Sequence, residues 1–163
     1  MPDVSPSLET QRRHRLEQLL AHQGRDRQFL ADAPMRATRR DALTGIELTV
    51  RLTSYRALPL SCIAGMRLSL DGHSLATDQS LLQLQGSSYR VRDFPRLSRV
   101  WWFVLDSALW FVPTSNPAAL ATGGHDVEGE LITVEPYMTA GRFAFHATAR
   151  RRLELQAPST AAP

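Results

Sequence analysis

Ile46-Glu-Leu-Thr-Val-Arg-Leu52 and, further along, Met66-Arg-Leu-Ser-Leu-Asp-Gly72 are the stretches that decide the fold class of this chain. Hydrophobic and polar side chains alternate in both, and this period of two predicts β-strands with one buried and one exposed face. The Asp71-Gly72 pair tolerates positive φ angles, so it predicts a tight turn after the second strand. The chain is therefore organised around two half-buried strands.

The segment between these strands, Ser54-Tyr-Arg-Ala-Leu-Pro-Leu-Ser61, is too apolar for an ordinary solvated loop. Pro59 restrains Leu58 to extended geometry, so an ordered crossover is expected, and an ordered loop with such side chains is a candidate contact surface. Tyr55 and Arg56 are residue types that anchor interfaces and orient polar ligands. A structural role stays open, in which Tyr55 caps a sheet edge and Arg56 binds loop carbonyls.

The rest of the chain continues the β pattern from Met35 onward, with short apolar segments separated by turn signals. This pattern predicts an all-β fold, an antiparallel β-sandwich of the jelly-roll type, over residues 34–155. The apolar run Val100–Leu105 predicts a strand that is covered on both faces, or packed on one face and docked on the other. Residues 1–33 are expected to form an N-terminal extension, partly helical or disordered, and residues 156–163 a disordered tail.

Composition narrows the class of partner. All 19 basic residues are Arg, but the net charge is only +3 and the basic residues are interleaved with Asp and Glu. Strong phosphate binding needs clustered positive charge, so no nucleic-acid partner is expected. The single cysteine, Cys62, excludes an intrachain disulfide, and neither a signal peptide nor an apolar run of membrane length is evident. We expect a cytoplasmic protein without a membrane partner.

Motifs that carry chemistry are missing from the sequence. There is no G-x-S-x-G, no P-loop and no G-x-G-x-x-G, so neither a nucleophile elbow nor a nucleotide site is predicted. The histidines have no metal-ligand spacing, and we predict no catalytic residue and no metal site in this chain. A cupin-like metalloenzyme stays open if the fold gathers His73, His125 and His146.

The tryptophans leave open a second class of function. Trp101, Trp102 and Trp110 could stack on sugar rings in a free-standing carbohydrate-binding module. Their apolar neighbours favour core positions instead.

One further motif, Pro136-Tyr137-Met138, interrupts a late strand and is a second candidate contact site. Together with Tyr55–Ser61, Asp71-Gly72 and Leu120-x-x-Gly-x-His-x-Val127, it resembles the small β subunit of C-glycoside deglycosidases. The resemblance spans roughly Phe29 to Leu155 and is strongest in Tyr-Arg-x-Leu-Pro-Leu-Ser.

This resemblance implies a β-sandwich that pairs with a larger TIM-barrel α subunit of the sugar isomerase/epimerase type. The implied complex cleaves the carbon–carbon bond of 3-oxo-C-glycosides by β-elimination, with a divalent metal (Mn or Mg) and the acid–base residues in the α subunit. This chain would carry no cofactor. Its implied contribution is a partner interface or a wall of the substrate pocket, formed by Tyr55, Arg56, Leu58, Pro59, Pro136, Tyr137 and Met138.

Overall fold

The computed structural model describes residues 28–134 and 144–158, and most of its regular structure is β-strand, which confirms the predicted all-β class. The strands up to the middle of the chain are β1 (Met35–Arg40), β2 (Leu43–Arg51), β3 (Leu58–Pro59), β4 (Ile63–Leu70), β5 (His73–Leu75) and β6 (Leu81–Leu84). The later strands are β7 (Ser87–Arg90), β8 (Trp101–Trp102), β9 (Ser107–Pro113), β10 (Gly123–Val134) and β11 (Ala144–Gln156). Two short 3₁₀ helices cover Leu60–Cys62 and Val91–Arg96.

The alternating segments form strands with the expected buried faces. Strand β2 buries Ile46, Leu48 and Val50, and strand β4 buries Met66, Leu68 and Leu70. Asp71 and Gly72 have φ angles of 47° and 81°, as the turn between β4 and β5 requires. The period of two thus predicted the inner face of both strands correctly.

The strands form one large sheet in the order β5-β4-β10-β11-β1-β2-β9-β6-β7, beside a two-stranded pair, β3-β8. The described strand pairs are antiparallel except for β1 and β11, which run parallel over a short seam, Met35 opposite Leu155 and Arg36 opposite Gln156. The sequence pattern predicts only antiparallel strands, and this seam makes the sheet mixed. A tight hairpin forces antiparallel pairing. Strands β1 and β11 are the first and last strands in the sequence, so no hairpin joins them and this constraint does not apply.

The seam divides the sheet into two antiparallel halves that share a single hydrophobic core. The segment just before β1 packs into this core, because the Phe29 ring lies 5.7 Å from the Trp110 ring of β9. On the other half, a Cβ added to Gly129 of β10 would come within 2.7 Å of Leu30 Cδ2. Phe29 and Leu30 therefore fill the space between the two halves.

These residues fall within the predicted extension, yet they are part of the packed domain. Phe29, Leu30 and Ala31 are buried, and the Ala31 amide donates a hydrogen bond of 3.0 Å to the Thr49 carbonyl. Arg151 Nε also donates to the Leu30 carbonyl at 2.9 Å. Core packing thus begins before residue 34.

The predicted N-terminal helix and most of the tail lie outside the described residues. At the other boundary, β11 continues through Gln156, the first residue of the predicted tail. Within the part of the chain that the structure describes, no helix has the length and hydropathy needed to cross a lipid bilayer.

Candidate partner-binding surface

Two connections run side by side at one end of the domain. Strand β2 ends at Arg51, which pairs with Ser107 at the start of β9. Strand β3 begins at Leu58, which pairs with Trp102 at the end of β8. Residues 52–57 and 103–106 therefore both join the β2–β9 pair to the β3–β8 pair, and they must lie next to each other.

The first connection is held by a buried anchor at its C-terminal end. Leu58 and Leu60 are fully buried, and Pro59 is buried beside them. The Leu60 amide donates to the Val100 carbonyl at 2.8 Å. Each buried leucine side chain contributes about 2 kcal/mol. Leu58 and Pro59, predicted as interface residues, lie in the interior here and hold the crossover in place.

The second connection is a turn fixed by hydrogen bonds. The buried Trp102 donates its Nε1–H to the Asp106 carbonyl at 3.0 Å, and the Asp106 amide donates to the Phe103 carbonyl at 3.0 Å. From the β6–β7 hairpin, Gln85 Nε2 donates to Asp106 Oδ2 at 3.0 Å. Residues 103–106 are thus held in one conformation.

These two fixed segments and the adjoining strand β8 present large side chains to solvent. The exposed fractions are 51% for Tyr55, 40% for Trp101, 48% for Phe103 and 61% for Leu105. Arg56, also exposed, lies with its Cζ 5.2 Å from the centre of the Tyr55 ring, a cation–π arrangement. We call these five residues the connection surface. Aromatic and arginine side chains grouped on a fixed surface are typical of protein interfaces.

Part of this surface is predictable from the sequence and part of it is not. Tyr55 and Arg56 are predicted contact residues and are exposed. The predicted strand Val100–Leu105 is wrong beyond Trp102, because only Trp101–Trp102 is a strand and a turn follows it. Phe103 and Leu105 are exposed in that turn. The polar pair Asp106-Ser107 is the one sequence signal that the apolar run ends in a turn.

Two of the three tryptophans belong to the core. Trp102 and Trp110 are fully buried, and Trp110 donates its Nε1–H to Ser80 Oγ at 2.9 Å. Only Trp101 offers a face to solvent, so the three do not form a platform for sugar rings.

The three candidate histidines are not gathered into a metal site. His146 Nδ1 lies 2.7 Å from Glu130 Oε1 on the outer face of the sheet, whereas His125 is buried against Asp71. Among the described residues, no group of three or more His, Cys, Asp or Glu side chains is placed to hold a metal ion. Pro136, Tyr137 and Met138 lie outside the described residues.

A protein-family model matches the part of the sequence that contains these residues. The model of the C-glycoside deglycosidase beta subunit family matches residues 26–137. The chain belongs to this family. The match includes the Tyr55–Ser61 segment, both connections and the buried Phe29–Ala31 segment, so the family's sequence pattern covers the whole connection surface.

Individual relatives carry the family's name. The chain is 31% identical over 107 residues to the C-glycoside deglycosidase beta subunit of Arthrobacter globiformis. The aligned region covers 66% of this chain and 79% of the relative. It is 34% identical over 89 residues to the C-glycoside deglycosidase beta subunit of Microbacterium trichothecenolyticum, an alignment that covers 55% of this chain and 66% of the relative. A Microbacterium sp. protein named 3'-dehydrocarminate deglycosidase beta subunit is 27% identical over 115 residues, covering 69% and 85%.

Proposed function

We propose that this chain is the accessory subunit of a heteromeric C-glycoside deglycosidase and docks on a catalytic partner through the connection surface. The observation that carries the proposal is the group of exposed Tyr55, Trp101, Phe103 and Leu105 on the two fixed connections and the adjoining strand β8, in a chain that belongs to a family of deglycosidase beta subunits. Burying these side chains against another protein would remove their apolar area from water.

The rigidity of the surface supports a docking role. Binding is weakened when loops must be ordered on association, and a preformed surface avoids that cost. Here Leu58, Leu60 and Trp102, which follow or adjoin the exposed residues in the chain, are buried in the core. The surface is therefore preorganised by the same packing that stabilises the domain.

The proposed reaction is the cleavage of a carbon–carbon bond between an oxidised sugar and an aromatic aglycone. As the family resemblance implies, enolisation beside the 3-oxo group is followed by β-elimination of the aglycone. We assign the divalent metal and the acid–base residues to a TIM-barrel partner. One relative is named for 3'-dehydrocarminate, and we propose an oxidised C-glycoside as the substrate class here too.

This chain's contribution would be positional. A subunit that covers one wall of the partner's pocket restrains the substrate and excludes water, which favours proton transfer at the carbon beside the carbonyl. Tyr55 and Arg56 extend from the surface and could reach a bound substrate from this wall.

Reconstitution tests the proposal. The partner alone, this chain alone, and the mixture are each assayed for release of the aglycone from a 3-oxo-C-glycoside. We expect the two chains to co-purify and activity to require both. Full activity of the partner without this chain would contradict the proposal, as would turnover by this chain alone.

A further inference from the structure

His125 sits at the start of β10 with both ring nitrogens against acceptors. Nδ1 lies 2.7 Å from Asp71 Oδ2, and Nε2 lies 2.6 Å from the Ala121 carbonyl oxygen. The side chain is buried, with 7% of it exposed. Neither a carboxylate nor a carbonyl can donate a hydrogen bond, and neutral imidazole carries a single N–H. Both contacts can be hydrogen bonds only when the ring is protonated.

The ring bridges two segments that are distant in sequence. Asp71 belongs to the β4–β5 turn, which is attached to β10 because Asp71 Oδ1 accepts the Asp126 amide at 2.9 Å and the Asp71 amide donates to the Asp126 carbonyl at 2.8 Å. Ala121 belongs to the loop 114–122 between β9 and β10. His125 joins this loop to the turn.

The bridged segments continue into two walls of an open groove of about 920 Å³. One wall is β5 and the residues after it, His73–Ala76 and Gln79, which follow the Asp71 turn. The other wall includes Pro113–Asn116 and Leu120, which belong to or adjoin the loop. The contacts of His125 therefore help set the spacing of these walls.

The surrounding charges favour the protonated ring. The hydrogen bond to the Ala121 carbonyl, followed by the hydrogen bond to Asp71, raises the pKa of His125, while burial and the positive charge of Arg152 on β11 oppose the rise. The His125 hydrogen bond lowers the pKa of Asp71. Asp126 is occupied by its ion pair with Arg152 at 3.0 Å, and Glu154 lies beside Gly124 at the same strand end.

We propose that His125 is a pH-dependent clamp: the protonated ring holds the loop 114–122 to the β4–β5 turn, and loss of the proton to solvent releases the loop. After deprotonation the remaining N–H stays on Nδ1, because the Asp71 carboxylate is the stronger acceptor. The lone pair on Nε2 then faces the lone pairs of the Ala121 carbonyl, and their repulsion drives the loop away and widens the groove.

Nuclear magnetic resonance on the full chain tests the clamp. We expect the ring ¹⁵N signals of His125 to show both nitrogens protonated at pH values below its pKa, and this pKa to lie above that of the same residue in the urea-unfolded chain. The Ala119, Leu120 and Ala121 amides, hydrogen-bonded within the loop, should lose exchange protection as His125 deprotonates, after correction for base catalysis.

Asp71→Asn and Asp126→Asn provide a matched pair of variants. Both remove one negative charge near His125, but only the first removes the carboxylate that contacts the ring. Asn tolerates the φ angle of 47° at position 71, so the turn should persist. We expect Asp71→Asn to lower the pKa of His125 and release the loop at lower pH, with a smaller change in Asp126→Asn. Equal shifts in the two variants would overturn the proposal, as would a His125 pKa at or below the unfolded value, or loop protection that is unchanged across the titration.

Discussion

The two ends of the β2–β9 strand pair differ in what they present to solvent. Strand β2 runs from Leu43, beside the groove, to Arg51, beside the connection surface, and its nine residues separate the two ends by about 30 Å. The connection end exposes three aromatic side chains and Leu105. The groove end exposes mostly small and hydrogen-bonding side chains, with Leu43 as its one large exposed hydrophobic residue among those described.

The difference indicates a division of roles between the ends. Both have turns fixed by hydrogen bonds, so rigidity alone does not distinguish them. Exposed apolar area does, because its removal from water is the main favourable term in association. Only the connection end is therefore expected to be a strong protein-docking surface, and the changes below test this asymmetry.

The largest expected effect comes from Gly45, whose loss would disturb the strand pair that carries both ends. A Cβ at this position would collide with the Val112 carbonyl oxygen and would lie 2.7 Å from Pro113 Cα. Both are backbone atoms and cannot rotate away, so Gly45→Ala should lower the free energy of unfolding by about 3 kcal/mol or more. Urea unfolding measures this change. In the control Gly65→Ala, the new Cβ meets the Ile132 Cδ1 methyl at 3.3 Å, and a similar loss there would contradict the explanation.

The next effect concerns partner binding at the connection end. The double variant Phe103→Ser/Leu105→Ser removes two exposed apolar side chains without touching the core. We expect affinity for the partner subunit to fall about a hundredfold or more, since truncation of a central interface residue costs about 2 kcal/mol. Calorimetry or surface plasmon resonance with the purified partner measures it. Leu43→Ser makes the same kind of change at the groove end, and an equal loss of affinity there would remove the asymmetry.

A smaller effect is expected for Arg56→Ala. This change removes the guanidinium beside the Tyr55 ring, and we expect the activity of the complex to fall about tenfold while the Tm of the free subunit stays nearly unchanged. Arg39→Ala is the matched control, because Arg39 is an exposed arginine in the β1–β2 hairpin near the groove. A large drop in the Tm of Arg56→Ala would instead favour a structural role for this residue.

The smallest effect is the pH dependence of stability at the groove end. Because the pKa of His125 is raised in the folded chain, its contribution to stability is present below the unfolded pKa and is lost as pH rises through the folded pKa. The Tm of the wild-type chain should therefore fall, relative to Asp71→Asn, across this range. Thermal unfolding from about pH 5 to about pH 9 measures the difference. A difference that stays constant, or grows with pH, would contradict the assignment.

Local sequence patterns predicted the strands well where one face is buried. In β2 the alternation identified the buried Ile46, Leu48 and Val50, and in β4 it identified Met66, Leu68 and Leu70 but not the buried Ile63 at the start of the strand. The pattern failed at Phe103–Leu105. A continuous apolar run carries no period, so it cannot distinguish a strand buried on both faces from a strand that ends in an exposed turn.

The candidate site shows the same limit. Tyr55 and Arg56 could be predicted because Pro59 and the apolar residues around it mark an ordered crossover. Leu58 and Pro59 belong to the same motif, but they are buried because they pair with β8, which is distant in sequence. Phe103 and Leu105 belong to the surface only because residues 52–57 and 103–106 join the same two strand pairs. This pairing of strands is not specified by the residues that neighbour Phe103 and Leu105 in sequence.

The sequence by itself determined the all-β class, the inner faces of the main strands and the family resemblance, because side-chain alternation and short motifs are local properties. Only the tertiary structure decided the parallel seam between β1 and β11, the packing of Phe29 and Leu30 between the halves, and the pairing of His125 with Asp71 and Ala121. Each of these depends on the assembly of the whole sheet, which brings together residues that are distant in sequence around a core that no single segment can form alone.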